Sequence, residues 1–428
     1  MKVSSISPNV LTAIMSVFSL DKRFDLNHNL EKYEKYLQQL CLLTASFSNV
    51  KKGNLNPQKR RIQMFLIITF LILGIRYVTF ALFLLLDNKT RTRYQYLTLD
   101  YMETLGILGR TLNVIYAVAL FPVNADKILF RQKESSAKIG FWTEMDILKS
   151  RRSSGGLNSQ EKRKLSAFVH AYVHVCMFGH LTVGGVLVIL QVTGCVVFLI
   201  TVSESLTVSV LAVIYLLFIC WAQTFSCGHI LAMSMSMHIT ATYFWLRIKK
   251  LSSKLSRLKD NLSEKNLLLV LKYYDQLALD FDNFNSCLKY AMRNLFIGLS
   301  PLASVVFYII TVEMNAILKM VVISGASTFL VILLATEYVV GHMNNKIHTV
   351  YQELNKVCAR NAAHSRKTIT FYSLLRVKMI VREIGSTRKD GQYRIGLTNG
   401  KGAAFTTLDA VKMTLAILQY TLLFIINT

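Results

Sequence analysis

The chain has 428 residues, of which 53% are apolar and four are proline, and its formal net charge is +25. Long apolar runs alternate with basic polar segments. This pattern is typical of helical membrane proteins that cross the bilayer several times, and it excludes an ordinary soluble protein. The runs are also far longer than the alternating strands of about 10 residues in a membrane β-barrel. We therefore expect an all-α integral membrane protein.

Seven apolar runs are predicted to cross the membrane as helices. In chain order they cover 64–86, 102–123, 167–202, 206–246, 294–314, 317–342 and 411–428. The third and fourth runs are too long for one crossing, and only 203–205 separate them. We expect them to form a tight hairpin of two helices that extend into the cytosol. Near the C-terminus, the stretch 385–391 contains two glycines and is predicted to break the helix that precedes it.

The runs divide the chain into six predicted parts. These are a cytosolic segment with an amphipathic helix (1–63), membrane helices one to four (64–246), a cytosolic helical anchor region (247–293), membrane helices five and six (294–342), a second anchor region (343–410) and membrane helix seven (411–428).

The charge distribution predicts the orientation of these parts. The net charge of +25 lies in the N-terminal segment (1–63) and in 124–166, 247–293 and 343–412. Positively charged segments stay in the cytosol, so the N-terminus is predicted to be cytosolic and the C-terminus extracellular. Asn88, in Asn88-Lys89-Thr90, would then lie outside and is a predicted glycosylation site. The basic faces are expected to contact membrane lipid, and nucleic-acid binding is not expected.

Polar side chains mark one face of the second membrane helix. Glu103, Arg110 and Asn113 share that face. Charges inside a bilayer are costly, so the face should look inward. One interpretation is an outward-opening ligand pocket to which Gln191 and Tyr308 also contribute. The other is an internal salt bridge of Arg110, with Glu103 or with another helix.

Other polar residues give no sign of a metal site or of catalysis. His170 and His174 lie four positions apart, but spacing defines no third ligand, so no metal is expected. The chain has neither a Gly-x-Ser-x-Gly sequence nor a phosphate-binding loop. We therefore expect no enzyme activity and no cofactor.

The last predicted membrane helix carries Gln419, Tyr420 and Asn427 among apolar residues. Polar groups in hydrocarbon need partners or water, so this helix is expected to face an aqueous path. The alternative is ordinary helix packing, in which these groups form hydrogen bonds between membrane helices.

The C-terminal region resembles the insect-type gustatory and odorant receptors of arthropods, and the gustatory branch in particular. Gly396-Leu397-Thr398 leads into Phe405-Thr406-Thr407-Leu408-Asp409, which is similar to the segment that precedes the last helix of gustatory receptors. The motif residues are Phe405, Thr406, Asp409 and Tyr420. Gln419-Tyr420 stands where the family has Thr-Tyr, and Ile426-Asn427 replaces the family's terminal Gln-Phe pair.

This resemblance implies a ligand-gated, non-selective cation channel in the plasma membrane of chemosensory cells. It implies a homo- or hetero-tetramer whose seventh helices line a central pore, opened by an extracellular small-molecule tastant. The residues that would line the pore are Gln419, Tyr420, Leu423, Phe424 and Asn427. The alternatives are a secondary transporter of a small solute and a seven-helix receptor that is not a channel.

Overall fold

A computed structural model describes residues 26–83, 123–125, 127–128, 131–132, 157–201, 205–258, 263–282, 284, 316–363 and 370–390, together with positions 412, 415 and 419. Within these residues all regular structure is α-helical. The helices are α1 (Leu26–Gln39), α2 (Phe47–Lys51), α3 (Pro57–Phe83), α4 (Ser159–Thr201), α5 (Leu206–Arg257), α6 (Ala316–Ala363) and α7 (Phe371–Asp390). Residues 264–282 are also helical.

Helices α4 and α5 form the predicted long pair. They contain 43 and 52 residues, and helices of that size are about 64 and 78 Å long, against a hydrocarbon core of ~30 Å. They run antiparallel. Tyr172 contacts His238, while His180, later in α4, contacts Thr224, earlier in α5. The prediction that both helices are too long for the bilayer is confirmed.

Among the described residues, three helices are long and apolar enough to cross a membrane. They lie at Pro57–Thr79, Ser159–Thr201 and Leu206–Arg257, which correspond to predicted membrane helices one, three and four. Predicted membrane helix six falls within α6. Predicted helices two, five and seven lie wholly or mainly outside the described residues. These apolar helices indicate a membrane protein.

Two predicted boundaries fall inside continuous helices, and one predicted break is wrong. The boundary between 246 and 247 lies within α5, and that between 342 and 343 lies within α6. Helix α7 continues through Gly385 to Asp390, so this glycine does not end it. Glycine costs only about 1 kcal/mol in a helix interior. The packing of α7, which buries Val377 and Ile380, outweighs this cost.

Helix α1 was not predicted, although the N-terminal segment contains it. Leu26, Leu30, Tyr33 and Leu37 recur at helical spacing and are buried. They pack with α4 and α5 in the main core. The amphipathic helix predicted at 10–20 lies outside the described residues.

Candidate functional site

The described positions of the last predicted membrane helix share one exposed face. Lys412, Leu415 and Gln419 are helical and exposed. At 3.6 residues per turn they lie within about 60° of one another around the helix axis. The other predicted pore residues, Tyr420, Leu423, Phe424 and Asn427, lie outside the described residues. So do the motif residues Phe405, Thr406 and Asp409.

The predicted ligand pocket is represented by a single described residue. Gln191 is fully buried on α4, about 15 Å along the helix from its end at Thr201. A buried amide at that depth is suited to orienting a ligand or to joining two helices. Glu103, Arg110, Asn113 and Tyr308 lie outside the described residues, as does Asn88.

Arg76 lies on α3, seven residues before this helix ends at Phe83. Its guanidinium carbon lies 3.6 Å from the centroid of the Tyr215 ring, so α3 contacts α5 through a cation–π interaction. Such a pair places the cation on the negative face of an aromatic ring and reduces the cost of a charge in the bilayer. A tilted aromatic pair, Phe65 and Trp221, joins the same two helices nearer the other end of α3.

Helix α1 contacts α4 and α5 through polar groups as well as apolar ones. The Tyr36 hydroxyl lies 3.2 Å from His180 Nδ1, and His180 Nε2 donates to the Thr224 carbonyl at 2.9 Å. The Tyr33 and Ser236 hydroxyls form a second hydrogen bond. Burial raises the pKa of both tyrosines, which keeps them neutral. These bonds hold α1 across both long helices.

A second polar contact joins α4, α5 and α6. His238 Nδ1 lies 2.9 Å from the Tyr172 hydroxyl and 2.8 Å from the Ser234 carbonyl. The Ser234 hydroxyl lies 3.0 Å from that of Thr336 on α6. The contact therefore joins α6 to the α4–α5 pair.

The histidine pair of α4 is part of the contact with α1. The His170 and His174 rings meet edge to face, with centroids 4.5 Å apart. His170 Nδ1 lies 3.3 Å from Asn29 Oδ1, and Asn29 Nδ2 donates to the Ser166 hydroxyl at 3.1 Å. In the part of the chain that the structure describes, no group of three possible ligands could hold a metal ion.

A buried ion pair in the first anchor region was missed by sequence reasoning. Arg247 of α5 pairs with Asp280, and their side chains are 3% and 8% exposed. The Arg247 guanidinium also donates to the Tyr243 hydroxyl at 3.0 Å. The charges belong to separate helical segments, so no local spacing could have paired them.

The start of α7 contacts the segment 264–282 at two points. Glu264 accepts hydrogen bonds from Thr370 and Ser373, and the bond from the Thr370 hydroxyl lowers the pKa of Glu264. One turn further along α7, Arg376 pairs with Asp275. The two predicted anchor regions are thus in direct contact.

Comparison with solved structures identifies the class of fold. The chain is similar to the insect olfactory receptor OR5 from Machilis hrabei in complex with eugenol, with a TM-score of 0.62 and 10% identity, over 94% of this chain and 100% of that chain. It is also similar to the structure of OR5 from Machilis hrabei, with a TM-score of 0.55 and 10% identity, over 86% of this chain and 89% of that chain. No family model and no curated protein matches the sequence. The chain has the fold of an insect olfactory receptor.

Proposed function

We propose that this protein is a chemoreceptor of the gustatory-receptor type: a ligand-gated, non-selective cation channel opened by an extracellular small-molecule tastant. The observation that carries the proposal is the fold, which it shares over 94% of its length with an olfactory receptor solved with eugenol bound. The segment Phe405-Thr406-Thr407-Leu408-Asp409 supports the gustatory branch.

The exposed face of the last helix supports a pore. Gln419 is polar and exposed on a predicted membrane helix, and Lys412 shares its face. A polar group that faces hydrocarbon is costly, whereas one that faces water is not. Four copies arranged around an axis would place this face on a common aqueous path. There, rings of Leu423 or Phe424 would act as a dewetting gate, and amides of Gln419 and Asn427 would contact hydrated cations.

The proposed orientation has seven membrane helices, a cytosolic N-terminus and an extracellular C-terminus. The basic segments support it, because they carry the net charge of +25. A ligand that enters from outside among helices two to six would reach Gln191, close to the α4–α5 hairpin. To open the channel it must bind the open state more tightly than the closed state.

The proposal is tested by recording currents from the full chain expressed in oocytes. The compounds applied are eugenol, sugars, amino acids and bitter substances. We expect one class to produce unitary currents and Leu423→Arg to abolish them, since a ring of charges would block a narrow apolar gate. The matched control is Leu375→Arg, at a leucine of α7 that is 43% exposed and lies outside the proposed pore.

Different outcomes would contradict different parts of the proposal. Saturable solute uptake without unitary currents would identify a transporter. If currents persist in Leu423→Arg at normal surface expression, the last helix does not line the pore. If the native chain carries a glycan that Asn88→Gln lacks, the first loop lies outside. If Asn261 is glycosylated instead, the orientation is the reverse of the proposed one.

A further inference from the structure

Five buried polar side chains lie near the start of α3, in the middle of α5 and in the segment 124–127. All are at most 5% exposed, and each has polar atoms without a hydrogen-bond partner in the described chain. They are Gln63, Asn124, Lys127, Gln223 and His229. Buried polar groups are almost always satisfied by protein, by water or by a ligand. Such a concentration therefore points to a bound group.

Lys127 is the centre of this cluster. Its ammonium lies 3.4 Å from the centroid of the Phe70 ring, and the residue is 3% exposed. Burial lowers the pKa of Lys127 well below its usual value, so a nearby anion would be needed to keep it charged. The Cys41 thiol and the His229 imidazole lie near it. Lys127 makes no ion pair with any carboxylate of the described residues. An aromatic face replaces only part of the hydration that an ammonium loses on burial.

The positions along the helices place the cluster at one membrane surface. His229 lies about 35 Å along α5 from Leu206, just beyond a hydrocarbon core of ~30 Å. Gln63 and Phe70 lie on one face of α3, and Asn124 precedes Lys127 by one helical turn. With Leu206 at one membrane surface, His229 would lie near the lipid headgroups of the other, and Gln223, about 26 Å along α5, just inside the hydrocarbon core.

Basic residues also surround the cluster. Lys59 lies at the start of α3, where its Nζ donates to Gln38 Oε1 at 3.2 Å and its charge also acts on Cys41. Arg131 contacts the Met64 sulfur. A group that reaches Lys127 would pass between positive charges, which attract anions and repel cations.

The available hydrogen-bonding groups suit an oxyanion. The Lys127 ammonium offers donors without a counter-charge, and the Asn124 and Gln223 amides and one nitrogen of His229 supply further N–H groups. Bonds from such donors to an anion are charge-assisted and strong. We propose that Lys127, Asn124, Gln223 and His229, termed the inner anion site, bind a phosphate group, supplied by the headgroup of an anionic phospholipid or by free phosphate.

The test uses the purified full chain in phosphatidylcholine nanodiscs, with phosphatidic acid in the bilayer or inorganic phosphate in the buffer. Binding to the folded state alone raises the unfolding temperature. We expect the probe to stabilise the native chain. Lys127→Met loses the charged donor, so its binding should be weaker by about tenfold or more. Lys164→Met is the matched control, because it removes the same charge from an exposed lysine of α4.

The two probes identify the source of the phosphate. Stabilisation by phosphatidic acid alone supports a lipid headgroup, and stabilisation by both probes supports a site for free phosphate. No stabilisation of the native chain, or equal stabilisation of Lys127→Met, would overturn the site. If Lys127→Met does not fold, Asn124→Leu serves the same comparison. None of these readouts depends on channel activity, so failure of the channel proposal would leave this test unaffected.

Discussion

Two stretches of α5 belong to one unbroken helix but have opposite surroundings. In 206–221, near the hairpin, apolar side chains are exposed: Leu206 is 83% exposed and Leu217 is 66% exposed. In 222–248 nearly every residue is buried, including polar ones such as His238 and Arg247. A lipid-facing stretch gains little from burying apolar groups, because lipid tails are themselves apolar. In water, burial of apolar surface is the main driving force.

Serine hydroxyls of the two stretches also differ in their partners. Near the hairpin, the Ser209 hydroxyl donates to a carbonyl of its own helix, Ser205 O, at 3.2 Å. In the buried stretch, Ser234 and Ser236 contact other helices through Thr336 and Tyr33. The first stretch contacts α3 through Tyr215 and Trp221. The second holds α1, α4, α5 and α6 together.

The largest effect is expected from Arg247→Ala at the end of the buried stretch. The change leaves Asp280 as a buried charge without its partner, which should cost about 3–5 kcal/mol of unfolding free energy. The measurement is denaturant unfolding in mixed micelles, followed by circular dichroism. The control is Lys356→Ala, which breaks an ion pair whose lysine is 51% exposed and should cost under ~1 kcal/mol. Equal losses in the two variants would contradict a buried, paired Arg247.

The same substitution in each stretch of α5 tests the comparison directly. Leu231 is 2% exposed, and Leu231→Ala should lose about 2–5 kcal/mol because it leaves a cavity. Leu217→Ala removes the same atoms from an exposed position and should change stability by about 0.5 kcal/mol or less. Both variants are compared by unfolding in the same micelles. A loss at Leu217 as large as that at Leu231 would mean that the two stretches have similar surroundings.

Two glycines test the contact of α1 with the long helices. A Cβ on Gly228 would lie 2.5 Å from Leu40 Cδ2 and 2.8 Å from His180 Cε1, whereas one on Gly185 would meet nothing within 4 Å. His180 is held by two hydrogen bonds and cannot easily move. Gly228→Ala should therefore cost about 1–3 kcal/mol, and Gly185→Ala should be neutral or stabilise by up to ~1 kcal/mol. Proteolysis of the N-terminal segment should accelerate only in the first variant.

The smallest effect is expected from Tyr33→Phe. Ser236 keeps its bond to the Ala232 carbonyl at 2.8 Å, so only the bond between hydroxyls is lost, at a cost of about 0.5–1.5 kcal/mol. Tyr372→Phe, at a tyrosine that is 78% exposed, should leave the unfolding midpoint unchanged. If both variants behave alike, the Tyr33 hydroxyl has no role in holding α1.

Sequence patterns were sufficient to predict the long helices but not to predict which of their residues are buried. Apolar runs predicted α3, α4, α5 and the membrane part of α6, because helix length in a bilayer depends on local composition. The exposed stretch 206–221 of α5 is more apolar than the buried stretch 222–248, which contains glutamine, histidine, serine and arginine. Hydropathy therefore cannot show which stretch is buried. Helix α1 was missed because Leu26, Leu30, Tyr33 and Leu37 are spaced among mainly polar residues.

The candidate site could be predicted only where its residues lie close together in the sequence. A polar stripe on the last helix can be read from spacing, and the exposure of Gln419 is consistent with it. The pairing of Arg247 with Asp280 and the position of Lys127 over Phe70 join separate helices, and one sequence contains no information on such long-range contacts. The same limit applies to the ligand pocket, of which only Gln191 is described.

The most direct test of the proposed channel asks whether Gln419 faces water or lipid. A membrane-impermeant maleimide is applied to both faces of opened membranes that contain Gln419→Cys, and the unmodified chain gives the background from native cysteines. Maleimides react with the thiolate, which forms in water but not in hydrocarbon. We predict labelling at 419 and none at Leu217→Cys, at an exposed position that we expect to face lipid. Absence of labelling at 419 in the folded protein would contradict a water-filled path along the last helix.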